Sequence, residues 1–183
     1  MSEFTLHTLE TAPPASQKLL RGLREKVGFV PNLAAAMAES PTLLQAFLGL
    51  RSAASEGGLD PVSREVIAIT VAVGSGCSYC AAAHSTFALG AGAAPALVEA
   101  ARSGTALPDP RLDALVRLAR AVVSRQPNVK HHLQDAFKAG LSPAEVLESL
   151  VAMVIPLLAS AVAQLVDVPL DVAFEPQSLA RRA

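Results

Sequence analysis

Gly74-Ser75-Gly76-Cys77-Ser78-Tyr79-Cys80-Ala81-Ala82-Ala83-His84 is the stretch on which the reading of this chain turns. Its glycines end one helix, and the run after them starts another. Cys77 then lies at or just before the first helical turn, where free N–H groups and the positive end of the helix dipole favour a thiolate. Cys80 follows one turn later on the same face, so the two sulfurs can meet in a disulfide. His84 comes four residues after Cys80, again on that face, as a base able to take a thiol proton directly or through water. The chain has no other cysteine in 183 residues. A bridge between these two closes too short a loop to constrain an unfolded chain, so the pair reads as redox chemistry and not as a staple.

Glu65 lies twelve residues upstream of Cys77, on the preceding helix. Tertiary packing has to bring it to the dithiol. Once there it can orient His84 and raise its basicity, as the third member of a nucleophile, base and orienter series. Blander readings exist for each residue. The cysteines can be small buried hydrophobes, Glu65 a solvated or capping carboxylate, and Tyr79 a packing residue or a source of one hydroxyl. A zinc site on Cys77, Cys80, His84 and Glu65 is disfavoured, because three ligands within two turns of one helix is not a usual tetrahedral framework, and no metal is expected. His131 and His132 sit at a polar helix start and read as solvated; His7 carries no argument.

Working outward, proline marks where helices begin. Ser40-Pro41, Asp60-Pro61, Ala94-Pro95, Asp109-Pro110 and Ser142-Pro143 each precede a helical pattern. Proline in the first turn loses no hydrogen bond, and Ser or Asp before it caps the free N–H groups. The pattern predicts helices near 15–27, 31–39, 41–55, 61–73, 77–90, 95–103, 110–125, 129–139 and 143–166. No segment alternates convincingly as a strand; 66–71 is β-branched but lies in a proline-started helical context. The expectation is an all-α, multihelical single domain over 1–183, with an extended arm over 1–14 and a polar tail over 175–183.

Composition agrees. The chain is 51% hydrophobic, with one Tyr, six Phe and no Trp. Its formal charge of −1 offers no surface for nucleic acid or anionic lipid. Two stretches, Val66 to Ala83 and Ser149 to Val166, carry no charge for 18 residues each. That is close to the minimum for a membrane span, but glycines, cysteines, Pro156, Ser160 and Gln164 interrupt them, and both read as buried helices. So much uncharged helix in a small protein suggests burial between subunits. Met1-Ser2-Glu3-Phe4 is acidic and polar with no basic flank or apolar run after it, so a cytoplasmic, reducing compartment is expected.

Glu65, eleven residues, Cys77, two residues, Cys80, three residues, His84 resembles the core motif of the alkylhydroperoxidase D-like proteins, within the wider carboxymuconolactone decarboxylase family. Phe29-Val30-Pro31-Asn32 and Val168-Pro169-Leu170-Asp171 resemble flanking segments of the peroxidase-related branch. The likeness spans about residues 28 to 174. It implies an all-helical fold and a homo-oligomer, a trimer or a hexamer of dimers. It implies reduction of a hydroperoxide in which Cys80 attacks and Cys77 resolves, with Glu65 and His84 relaying the proton. Helix electrostatics alone favour Cys77 as the more acidic thiol; the His84 spacing favours Cys80, and Cys80 is taken as the nucleophile. Two departures stand out. The best-known members carry a histidine where this chain has Tyr79, and the last helix often carries asparagine near the position of Ser160.

The leading expectation is therefore a CxxC-dependent thiol peroxidase acting on hydrogen peroxide or organic hydroperoxides. Its reductant, by resemblance, is a lipoyl-bearing or thioredoxin-like protein. No glycine-rich phosphate loop follows a strand, so no nicotinamide or flavin cofactor is expected. The alternatives are a cofactor-free lactone decarboxylase, a thiol–disulfide reductase serving a separate peroxidase, and a redox-sensing oligomer without catalysis.

Overall fold

Proline sets the helix starts in three dimensions as it does in sequence. The computed structural model describes residues 4–178. Among these residues the order is α1 (Pro14–Val27), α2 (Asn32–Met37), α3 (Pro41–Glu56), α4 (Pro61–Gly74), α5 (Ser78–Gly90), α6 (Pro95–Ser103), α7 (Pro110–Val123), α8 (Val129–Lys138) and α9 (Pro143–Val166), then a 3₁₀-helix over Val172–Gln177. The Ser40, Asp60, Asp109 and Ser142 side chains all accept first-turn N–H groups. Ser142 and Glu145 complete a reciprocal capping box on α9.

No strand occurs among the described residues, and the fold is all-α as expected. The helix ends differ from the sequence map by at most two residues. The largest shifts are in α2 and α7. In α7 the cause is visible: Arg125 takes φ 51°, a left-handed turn that stops the helix after Val123. Glu175 to Gln177, the first residues of the expected polar tail, complete the 3₁₀-helix. Phe174 is buried there, edge-on to the rings of Phe29, Tyr79 and Phe87, and Arg102 donates to the Gln177 carbonyl at 3.1 Å. The rest of the tail, 179–183, and residues 1–3 of the arm lie outside the described residues. Within the arm, the His7 N–H donates to Ala35 O at 3.2 Å, which holds it against α2.

Helix α4 runs through the middle and packs on α5, α6, α7 and α9. Val66, Ile67, Ile69 and Val71 are all fully buried on it. A helix buried all round tolerates β-branched residues because packing on every side outweighs their weak helix propensity. One hydrophobic cluster gathers α1, α2, α3, α5 and the C-terminal half of α9. A second gathers α4, α6, α7 and the N-terminal half of α9. The CxxC helix lies where the two meet. Helix α9 is long and apolar enough to cross a membrane by length and composition, and half of its most apolar window is buried inside the protein. Its buried side carries Ser149, Ala152, Met153, Ala159 and Ser160. Its other side exposes Leu147, Leu150, Val154, Leu157 and Leu165.

Candidate active site

Helix α4 ends at Gly74, and Gly76 takes φ 68°, which turns the chain sharply into α5. The Cys77 N–H closes this turn on Ala72 O at 2.9 Å. Cys77 is then the N-cap of α5, and its sulfur accepts the Cys80 N–H at 3.2 Å. A cysteine occupies the place where Ser or Asp would usually cap, so the free N–H groups of the helix are spent on a sulfur. Cys80 is one turn in and His84 one turn further, both on buried faces. Both cysteines are free thiols.

Packing of α4 on α5 brings in the fourth residue. Glu65 Oε2 lies 2.6 Å from His84 Nδ1, with the two side chains 19% and 7% exposed. Burial alone would raise the Glu65 pKa, but the charge and hydrogen bond of His84, with Arg51 and Arg64 nearby, bring it below the ordinary carboxylate value. An ionised Glu65 fixes the His84 ring with Nδ1 towards the carboxylate. The other ring nitrogen, Nε2, has no protein partner among the described residues, and His84 lines both the cavity it shares with Cys80 and a second one shared with Arg51, Arg64 and Glu65.

The two thiols differ. Hydrogen bonding from the Cys80 side chain, opposed by burial and helped by the Cys80 N–H, Ser160 and His84, lowers Cys77 to about 6. Cys80 is pushed far up, first by holding its proton towards Cys77 and then by burial and the neighbouring charge. The first thiolate of the pair is therefore Cys77, as the helix position suggested, and the proton rests on Cys80. Ser160 Oγ lies 3.5 Å from Cys80 Sγ, so α9 does supply a polar contact to the dithiol, from serine. A pH titration of thiolate absorbance in the reduced protein should show a midpoint near 6, with the thiolate lost below it. In Cys80→Ala the strongest hydrogen bond is gone, and the midpoint should climb towards the ordinary thiol value of 9.0. An unmoved midpoint would show that the helix start alone sets the acidity.

The sulfurs also face different spaces. Cys80 and His84 line an apolar cavity of about 50 Å³, walled by Phe47, Phe87 and Phe174 among others. Cys77 lines a separate, wider cleft of about 680 Å³ with Gly76, Ser78, Arg102 and Arg120. A small molecule can reach Cys80 from one side while a larger partner meets Cys77 from the other.

Tyr79 is in the same apolar wall, but its hydroxyl is engaged. It donates to Asp171 Oδ2 at 2.6 Å and accepts the Leu33 N–H at 3.3 Å. Asp171 also accepts the Asn32 N–H at 3.1 Å, and Asn32 Nδ2 donates to Pro169 O at 3.1 Å. Burial and Asp171 raise the Tyr79 pKa, which keeps it a neutral donor. Tyr79 thus ties the CxxC helix to Leu33 and Asp171, and Asp171 in turn joins the two flanking segments through Asn32. Sequence reasoning noted these segments as likenesses but did not assign Asp171 a role. The available signal was an Asp inside an otherwise apolar run. Asp171→Ala strands the Tyr79 O–H and the Asn32 N–H in a buried place, at a cost of roughly 2–4 kcal/mol. Chemical denaturation should register that loss, and a change below about 0.5 kcal/mol would deny Asp171 the tether role. His131 and His132 are on α8, paired with Asp135 at 3.5 Å and Asn128 at 3.1 Å, away from this site.

The profile of the carboxymuconolactone decarboxylase family matches residues 41–109, which hold α3 to α6 and the whole Glu65, Cys77, Cys80 and His84 set. Solved structures of similar shape cover nearly all of the chain. The alkylhydroperoxidase AhpD core protein of Ralstonia eutropha JMP134, an uncharacterized peroxidase-related protein, is 21% identical with a TM-score of 0.83, covering 94% of each chain. An uncharacterized peroxidase-related protein of Silicibacter sp. TM1040 is 22% identical with a TM-score of 0.80, again over 94% of each chain. The debrominase Bmp8, as a cysteine-to-alanine variant in complex with 2,3,4-tribromopyrrole, is 21% identical with a TM-score of 0.79 over 97% of each chain. No curated protein matches the chain. Residues 41–109 thus match the carboxymuconolactone decarboxylase family profile, and the fold around them is shared with the alkylhydroperoxidase AhpD core structure, as the sequence motif suggested.

Proposed function

We propose that the protein is a dithiol peroxidase that reduces small hydroperoxides at Cys80. The observation that carries this reading is the shared cavity: Cys80 and the Glu65-oriented His84 line one small apolar space, with Cys77 in contact behind. The resting pair holds one proton, on Cys80. That proton shifts to Cys77 along the contact between them, which leaves a Cys80 thiolate facing the cavity. Cys80 sulfur attacks the terminal peroxide oxygen, the O–O bond breaks, and a Cys80 sulfenic acid forms. The alkoxide leaves as alcohol, taking a proton from His84, which solvent replenishes. Cys77 sulfur then attacks Cys80 sulfur, the S–S bond forms, and its proton leaves with the sulfenic hydroxyl as water. The dithiol loses two electrons and the peroxide gains them.

Here His84 serves the leaving oxygen more than the thiol, because Cys77 is the group already bonded to Cys80. This shifts the role that the motif implied for it. The wide cleft at Cys77 supports reduction of the disulfide there by a lipoyl-bearing or thioredoxin-like partner. The exposed leucines and Val154 along α9 support a homo-oligomer built through that helix. To test the reading, fully reduced protein is mixed with one equivalent of cumene hydroperoxide and no reductant. One peroxide should vanish per chain as one Cys77–Cys80 disulfide appears. Thiols that stay reduced for minutes would sink it.

A further inference from the structure

The apolar cavity at Cys80 has a cation at its edge that the chemistry above does not use. Arg51 projects from α3 and lies over two rings, with its guanidinium carbon 5.5 Å from the Phe87 centroid and 6.0 Å from that of Phe47. Among the described residues, no acceptor lies within hydrogen-bonding distance of it and no carboxylate within ion-pairing distance. Arg64, Arg111 and Arg117, by contrast, are committed to Leu59 O, Glu145 and Asp113. Stacking on aromatic faces leaves the edge of a guanidinium, with its planar fork of N–H donors, free for a partner.

The position of Arg51 says where that partner comes from. Arg51 and Phe87 belong both to the narrow cavity beside Cys80 and to an adjoining cleft of about 800 Å³. Lys18 and Lys26 also line this cleft, and its one carboxylate, Glu65, is already engaged by His84. The space leading to Cys80 is therefore apolar at its inner end and cationic at its outer end. We infer that Arg51 is an anion anchor, and that the site takes a small apolar hydroperoxide bearing a carboxylate. The reactive oxygen lies at Cys80 and the carboxylate pairs with the Arg51 fork. This rests on the peroxidase reading for the identity of the reacting group, but the anchor itself does not.

Binding and turnover separate the two. Calorimetric titration of the reduced protein compares phenylbutyrate with phenylbutanol, neither of which can oxidise a thiol. The acid should bind at least about tenfold tighter, the scale of a charged hydrogen-bonded contact. Arg51→Met should erase that preference, and Arg51→Lys should keep part of it. Turnover of cumene hydroperoxide and its para-carboxylate derivative gives the second readout. The ratio of their kcat/KM values should fall about tenfold in Arg51→Met. If Arg51 served only to keep Glu65 ionised, both substrates would slow together and the ratio would stand. Equal affinity of wild-type protein for acid and alcohol overturns the anchor even if Arg51→Met fails to fold. Tight, Arg51-dependent binding of the acid without consumption of any peroxide would instead overturn the peroxidase and keep the anchor.

Discussion

Cys80→Ser should abolish catalytic consumption of hydroperoxide, with kcat/KM falling by about 10⁴-fold or more, as when a nucleophile is removed from a site that acts as a unit. Serine keeps the size and the Ser160 contact but cannot be oxidised by a peroxide. Cys77→Ser should behave differently. It should consume a single equivalent of peroxide and then stop, because nothing resolves the sulfenic acid. The asymmetry matters because the resting charges point the other way: Cys77 is the acidic thiol and Cys80 holds the proton. The cavities restore the order, since Cys80 is the sulfur that shares the small apolar space with His84. Turnover in Cys80→Ser within tenfold of wild type would move the nucleophile to Cys77 and the substrate to the wide cleft.

Glu65→Gln should slow disulfide formation by about 10²-fold, a usual share for a positioned proton carrier. Glutamine can still accept a hydrogen bond from His84 Nδ1, so the ring keeps its place, but the carboxylate charge beside the ring is lost. His84 would then deliver a proton less readily to the leaving alkoxide. The sign in pH follows. In the wild type the carboxylate is held below its ordinary range, so the pair stays intact through mildly acidic solution. The wild-type advantage over Glu65→Gln should hold above that lowered range and be lost as pH falls far enough to protonate Glu65, because the variant has no carboxylate to lose. Adding His84→Ala to Glu65→Gln should cost little more than His84→Ala alone, because Glu65 works through the ring. Additive losses would show separate roles. Stopped-flow measurement of the single turnover over a pH series reads all of this.

Much of this was legible in the chain because the signals are local. Proline after Ser or Asp fixes a helix start whatever surrounds it, and four such starts carry the expected cap. The spacing from Cys77 to His84 puts three side chains on one face by helix geometry alone. The Glu65 contact was legible only as a need, since α4 must pack on α5 to deliver it, and it does so at 2.6 Å. What stayed hidden is non-local. Asp171 meets Tyr79 across 92 residues of chain, and Ser160 meets Cys80 across 80. Neither has a spacing that periodicity can read. The 3₁₀-helix at the start of the tail was not legible because Glu175, Pro176 and Gln177 are polar in sequence, while the anchor is a single Phe174 buried among three rings from two other segments. Arg51 looks like an ordinary solvated helix arginine until the aromatic rings and cavities around it are seen together.

The most direct test of the account is to find which sulfur receives the peroxide oxygen. Reduced Cys77→Ala and Cys80→Ala proteins are each given one equivalent of cumene hydroperoxide with dimedone present, and the adduct is located by mass spectrometry. The account predicts a dimedone adduct on Cys80 in Cys77→Ala, formed more slowly than the wild-type disulfide because no Cys77 thiolate takes the Cys80 proton, and almost none on Cys77 in Cys80→Ala. An adduct on Cys77 with Cys80 unreactive, or no adduct in either protein, would contradict it.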